Sequence, residues 1–202
     1  DRIARKYAAR PVGDEAGYAR TLERTRQHLK PSDAVFEFGC GTGTTALKLG
    51  PAVARYVASD IAPAMIAIAE EKAKAEAVPN VEFAVTAPES APFAAASFDA
   101  VLGFNVLHLI SARAGVLGAV HRLLKPGGLF VSKTPCLKEM NPLIRLVAPV
   151  AQAIGYAPAV VYFTADELAR EVEAAGFDIV ERDRHGSAKK PEPRIFLVAR
   201  KR

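Results

Sequence analysis

The sequence predicts a doubly wound α/β fold, a mostly parallel sheet with helices on both faces, and three observations carry the prediction. From residue 33 onward short apolar runs alternate with longer Ala-rich amphipathic stretches, which is the pattern of successive β-α units. An apolar strand runs directly into the turn Gly39-Cys40-Gly41-Thr42-Gly43 and from there into a helix. A further helix over Ala165 to Ala175 opens with Thr164 and Glu167 at capping-box spacing and closes at Gly176.

The elements follow in order. Residues before 31 read as one or two helices broken near Pro11 and Gly13, too polar to build a core of their own and placed as a cover over the sheet edge. Runs rich in β-branched and aromatic residues give strands at Ala34 to Phe38, Tyr56 to Ser59, Val81 to Val85, Ala100 to Phe104, Leu129 to Lys133, Asp178 to Arg182 and Arg194 to Ala199. Helices fall between them at Thr44 to Leu49, at Pro63 to Ala77 with proline at its first position, and at Arg113 to Leu124 before the breaker Pro126-Gly127-Gly128. Residues 142–163 are apolar, but Arg145, Pro149, Gly155 and Pro158 interrupt them before the roughly 18 to 20 clean residues of a membrane span. The stretch Leu137 to Phe163 reads as an inserted lid or hydrophobic substrate wall, with docking on a bilayer surface or a buried crossover as the other readings.

With 50% hydrophobic and 24% charged residues, the 202-residue chain has the balance of one globular domain over 1–202, not of a disordered chain or coiled coil. Its two cysteines, Cys40 and Cys136, form no CxxC and no His/Cys cluster, so no disulfide framework and no metal site is expected. A cytoplasmic location is the reading that follows, and residues 1–10 are too charged for a signal-peptide core. The net charge of +5 is spread along the chain, which suits a solvated face with charged termini better than a nucleic-acid platform.

The chemistry concentrates at the glycine turn. Gly39, Gly41 and Gly43 remove the Cβ atoms that would hold a ligand away from backbone N–H groups, where the carboxyl end of a strand meets a helix N-terminus. A dinucleotide fingerprint needs its third glycine at position 44, which is threonine here. Glu37 at the strand end would repel a pyrophosphate and attract an ammonium or sulfonium cation. Asp60 ends the second strand about 20 residues beyond the loop, the offset at which an acid takes both ribose hydroxyls, and it also stands where it could cap the following helix.

These residues bring the chain to a resemblance. Glu37-Phe38-Gly39-Cys40-Gly41-Thr42-Gly43, Asp60, Phe98-Asp99-Ala100-Val101 and Leu124-Lys125-Pro126-Gly127-Gly128 resemble the ordered motifs of class I S-adenosyl-L-methionine (SAM)-dependent methyltransferases, in the small-molecule "type 11" branch related to ubiquinone and menaquinone biosynthesis enzymes. The resemblance implies a seven-stranded Rossmann-like sheet of order 3-2-1-4-5-7-6 with the last strand antiparallel. It also implies in-line methyl transfer from SAM, with S-adenosyl-L-homocysteine (SAH) as product, to a small-molecule acceptor. It places the methionine moiety beside Gly39, Cys40 and Gly41, the ribose on Asp60, adenine against Ile61 and Met65, and Asn105 near the sulfonium. Many members carry an acid after the third strand; alanine stands there in this chain, leaving Thr86 or the Ala87 backbone to meet the adenine amino group. Tyr7, and with it Tyr18, would line the site from a segment folding over the cofactor.

His108, three residues beyond Asn105, is the candidate general base. Cys40 is expected to line the pocket, Cys136 to border the acceptor or pack, and His28, His121 and His185 to be structural or exposed. Pro142, Leu143, Ile144, Leu146, Val147 and Val160 make the insertion apolar, which suggests a hydrophobic or amphiphilic acceptor. The rival readings are a non-catalytic nucleotide-binding module and an NAD-dependent oxidoreductase.

Overall fold

The computed structural model describes residues 14–140, 160–185 and 193–202. Seven strands form one sheet in the order β3-β2-β1-β4-β5-β7-β6. They are β1 (Ala34–Phe38), β2 (Arg55–Asp60), β3 (Val81–Val85), β4 (Phe98–Phe104), β5 (Leu124–Pro135), β6 (Phe177–Asp183) and β7 (Arg194–Lys201). The first five run parallel in register, and β7 lies antiparallel to both β5 and β6. The helices among the described residues are α1 (Glu15–Gln27), α2 (Thr44–Leu49), α3 (Pro63–Glu76), α4 (Arg113–Leu123) and α5 (Ala165–Ala174).

Alternation along each strand sorts the core into two layers, because successive side chains leave a strand on opposite faces. Phe36, Val57, Val101, Phe130 and Leu197 face α4 and α5, where Leu117, Val120, Leu168 and Val172 cover them. Their neighbours Val35, Tyr56, Ala58, Leu102, Val131 and Val198 face the other way, onto Leu22 of α1, Leu49 of α2 and Ile66 of α3. Both faces are apolar, so the central strands read as nearly continuous hydrophobic runs.

The start of β5 and the role of α1 differ from the sequence reading for physical reasons. Leu124 leaves α4 in extended conformation and pairs with Phe98, so β5 begins five residues earlier than Leu129, with a register shift that accommodates Lys125 to Gly128. The α1 helix is also more than an edge cover. Arg24 and His28 reach Glu181 on the edge strand β6, while Thr21 accepts from Lys133 on β5 and Tyr18 meets Thr45 on α2. Residues 1–13, with Tyr7, and residues 141–159 of the insertion lie outside the described residues.

The two outer helices of one face are pinned by an ion pair. Arg113 is buried, donates to both oxygens of Glu171 at 2.6 and 2.7 Å, and lies 4.4 Å from the Phe163 ring centroid. Arg113→Ala strands the half-exposed Glu171 and loses the ring contact, and is expected to cost about 2 kcal/mol in a denaturant titration. Arg55→Ala breaks an equally bidentate but solvent-exposed pair with Glu82 and is expected to cost less than about 1 kcal/mol.

Candidate active site

The parallel strands end together on one side of the sheet, and there the loops that follow them enclose a cavity of about 890 Å³. Ligand sites in such sheets form at this edge because the chain reverses direction on either side of β1. The glycine loop makes its floor. Gly39 and Gly41 adopt φ of 66° and 56°, in the left-handed region where only glycine is unstrained, and a Cβ on Gly39 would lie 2.5 Å from Val106.

Asp60 holds that loop in place. One carboxylate oxygen accepts from the Gly41 N–H at 2.9 Å, and the other accepts from the Ala62 N–H, also at 2.9 Å, at the start of α3. Each oxygen keeps a second lone pair, so ribose hydroxyls can be received without breaking either bond. From behind, Lys72 of α3 donates to the Thr42 carbonyl at 3.2 Å and to the hydroxyls of Thr42 and Thr44 at 3.0 and 3.3 Å. Sequence reasoning gave Lys72 no role; it sits in an Ala-rich helix with nothing local to mark it.

Of the residues singled out from the sequence, Glu37, Gly39, Cys40, Gly41, Asp60, Ile61, Met65, Thr86, Ala87 and Asn105 all line this one cavity, and Tyr18 joins them. Ile61 is 76% exposed, an apolar platform at the rim of the kind a purine face would cover. Asn105 follows β4 with φ of 52°, its N–H bonded to the Lys133 carbonyl. Glu37 is buried and accepts from the Tyr56 hydroxyl at 2.7 Å. Burial pushes its carboxyl up to about 7; the Tyr56 bond opposes the shift and Asp60 adds to it. Burial likewise pushes the Cys40 thiol far above its usual range, which leaves it an inert lining group.

Two expectations are corrected. Gly43 does not line the cavity: its missing Cβ, at φ of 74°, makes room for Ala69 and the Phe83 ring, each 2.8 Å from where that atom would stand. His108 does not line it either. The short 3-10 turn Leu107–Leu109 presents Leu109 to the cavity and turns His108 toward Thr134, with Nδ1 3.3 Å from its hydroxyl. Burial pulls His108 down to about 4, so it is too weak a base to hold a proton near neutrality. Of the two readings of Cys136, packing is the one observed: it is wholly buried in the core.

Two basic residues that the sequence reading did not single out, Lys133 and Arg194, line the cavity at the junction of β5 and β7. Lys133 is buried and donates to Thr21 Oγ1 at 2.9 Å and to the His185 carbonyl at 3.1 Å. A lone lysine closing the apolar run of β5 was the available signal. His185 also stands with Glu181 and Asp183 in a cluster whose ligand-type atoms lie within 4.8 Å of one another, a spacing not recognised in the sequence. Glu181 in that cluster is already engaged by Arg24 at 2.6 Å and His28 at 2.8 Å.

The sequence profile of the methyltransferase-domain family matches residues 35–128, the span from β1 through the glycine loop to the start of β5. A demethylmenaquinone methyltransferase of Corynebacterium glutamicum is 31% identical over 175 residues, which cover 77% of this chain and 73% of that protein. The chain belongs to the class I SAM-dependent methyltransferase family. A ubiquinone biosynthesis O-methyltransferase of Methylocella silvestris is 29% identical over 76% of this chain and 62% of that protein. A highly reducing polyketide synthase of Purpureocillium lilacinum is 31% identical over 82% of this chain, which spans 7% of the synthase. Among solved structures, the Bacillus subtilis YcgJ protein superposes with a TM-score of 0.74 at 18% identity, covering 91% of this chain and 99% of that one. The [4+2]-cyclase SpnF does so with a TM-score of 0.73 at 20% identity, so the fold by itself does not set the reaction.

The cofactor of the methyltransferase family is SAM, and the cavity has the features such a ligand needs. It offers a glycine floor, a ribose-competent carboxylate, an apolar rim and a buried acid for a cation. Lys72→Met leaves the core untouched but releases the back of the glycine loop, and is expected to weaken SAM binding about three- to tenfold by calorimetry, with Lys72→Arg restoring most of the loss. Gly43→Ala is expected to lower stability by roughly 1 to 3 kcal/mol, read as a lower Tm.

Proposed function

We propose that the chain transfers the methyl group of SAM to a small hydrophobic or amphiphilic acceptor, and the observation that carries this is the shared cavity. Its cofactor half is built from the glycine loop, Asp60, Ile61 and Met65, and its other half from Val106, Leu109, Ile110 and Val116 on and before α4. Bound SAM would supply an electrophilic methyl on a sulfonium. The chain's own residues would then bind, orient and dry the partners: Glu37 and Asp60 fix the cofactor, and the apolar half excludes water from the line of transfer.

No side chain of the described cavity is required to abstract a proton from an acceptor that arrives as an anion. With His108 turned away and held low, such an acceptor fits the site better than an alcohol that must be deprotonated there. Lys133 and Arg194 add positive charge to the same cavity, in keeping with an acceptor that is amphiphilic. The reading extends to 1–202 as one methyltransferase domain, with 1–31 as a helical cover and 137–163 as lid or acceptor wall, working in the cytoplasm. Among the described residues no helix is long and apolar enough to cross a membrane. Contact with a bilayer surface through the insertion would suit a lipid-like acceptor.

An NAD-dependent reading is disfavoured by Thr44, where a dinucleotide fingerprint has its third glycine, and by Glu37, an acid beside the loop that offers a pyrophosphate no positive partner. Titration calorimetry with SAM, SAH and NADH tests the assignment. SAM and SAH are expected to bind while NADH does not, and Asp60→Ala is expected to weaken both by at least about tenfold. Labelled-methyl transfer to demethylquinols and other phenolic acceptors then tests the reaction. Binding without transfer to any acceptor would favour a non-catalytic binding module, and folded protein that ignores SAM would overturn the proposal.

A further inference from the structure

Glu37 is an acid buried in an otherwise apolar strand. It stands at the carboxyl end of β1 on the same face as Val35, in line with Ala58 of β2 and Leu102 of β4, and only 2% of it is exposed. A carboxylate removed from water this completely is costly unless something compensates its charge. The groups around it do so poorly. From β2, Tyr56 gives one neutral hydroxyl at 2.7 Å and Asp60 brings a second acid. From the glycine loop comes the Cys40 thiol, whose own ionisation Glu37 and Asp60 both oppose. From α1 comes the Tyr18 phenol, hydrogen-bonded to Thr45 of α2 and with Lys48 5.0 Å from its ring centroid. On β5, Lys133 is bonded to Thr21 and to the His185 carbonyl. Glu37 nevertheless forms part of the cavity wall, two residues before Gly39.

We propose that the ligand-free site holds Glu37 as the neutral acid, that the α-ammonium of the cofactor's methionine end converts it to the carboxylate counter-ion, and that cofactor binding therefore releases a proton to solvent. This rests on the SAM reading of the cavity. The balance is simple: the carboxylic acid loses one proton to the buffer, no covalent bond of the ligand changes, and the new pair is carboxylate with ammonium. An acid whose value burial has already lifted to about 7 is poised for that exchange. The sign follows: the ligand prefers the ionised form, so affinity rises with pH through neutrality, levels once Glu37 is ionised without ligand, and falls at the alkaline pH where the ligand's own ammonium loses its proton.

The same residue thereby sorts ligands. SAM and SAH both carry the α-ammonium and both release the proton, whereas 5′-methylthioadenosine lacks the methionine end and leaves Glu37 protonated. The first of these therefore binds as an ion to an acid, and the last as a neutral purine thioether.

The test is titration calorimetry of the full chain with SAH in buffers of different ionisation enthalpy, which counts protons directly. About 0.9 proton is expected at pH 6, about half at pH 7 and about 0.1 at pH 8, with binding about five- to tenfold weaker at pH 6 than at pH 8. Glu37→Gln is expected to abolish both the release and the pH dependence, and 5′-methylthioadenosine to bind the native chain without release. Tyr56→Phe removes the hydrogen bond that favours the carboxylate, so release should persist to higher pH; this reads the linkage even if Glu37→Gln does not fold. SAH binding with no proton release from pH 6 to 8, undiminished release in Glu37→Gln, or release with SAM alone would each overturn the proposal while leaving the SAM assignment intact. Failure of folded protein to bind SAH or SAM would overturn the assignment itself.

Discussion

One carboxylate sits at the centre of this molecule's organisation. Asp60 receives the N–H of Gly41 on one oxygen and the N–H of Ala62 on the other, and so joins the glycine turn after β1 to the turn after β2. A glycine turn left to itself has many conformations, and three of its residues lie where other amino acids would be strained. The carboxylate selects one of them. It does so from the end of a strand buried on both faces, so the selected geometry inherits the rigidity of the sheet. Lys72 makes the complementary contact from α3, and the loop is thereby fixed on two sides without help from a ligand.

The sheet was legible because its strands obey simple rules. Two apolar faces with helices between strands dictate a doubly wound arrangement, and the alternation Val35/Phe36, Tyr56/Val57 and Phe130/Val131 sorts onto the two layers as the pleat requires. The cavity lining was legible where it rests on backbone geometry or strand ends: Gly39, Gly41, Asp60 and Asn105. It was misread where a residue's direction depends on a partner distant in sequence. Gly43 is the same letter as Gly41 two positions on, yet it faces Ala69 and Phe83 instead of the cavity. His108 carries the right chemistry in the right loop, but the twist of a short 3-10 turn aims it at Thr134. Lys133 and Lys72 were overlooked because only tertiary packing brings one to the cavity and the other to the loop.

The cavity is electrostatically uneven in a way that composition conceals. A net charge of +5 over 202 residues suggests a basic protein, but the cavity wall at the ends of β1 and β2 carries the acids Glu37 and Asp60, while Lys133 and Arg194 line it where β5 meets β7. A cationic cofactor and an electron-rich acceptor would each meet the polarity that suits it, and the local field would set their orientation before contact. The half-buried Tyr18 links these regions mechanically: its hydroxyl reaches Thr45 beside the glycine loop, and three residues along α1 Thr21 receives Lys133.

The antiparallel strand β7 has a consequence for how the chain is made. It enters between β5 and β6, and β6 has no other strand partner among the described residues, so until residues 194–201 emerge β5 keeps an open edge and the slot between the two is not yet formed. Phe196, Leu197 and Val198 fill that slot and are wholly buried there. During synthesis these unpaired strand borders stay open to other chains until β7 pairs with both. The cavity wall that carries Lys133 and Arg194 and the covering of β5's free edge are completed by the same event.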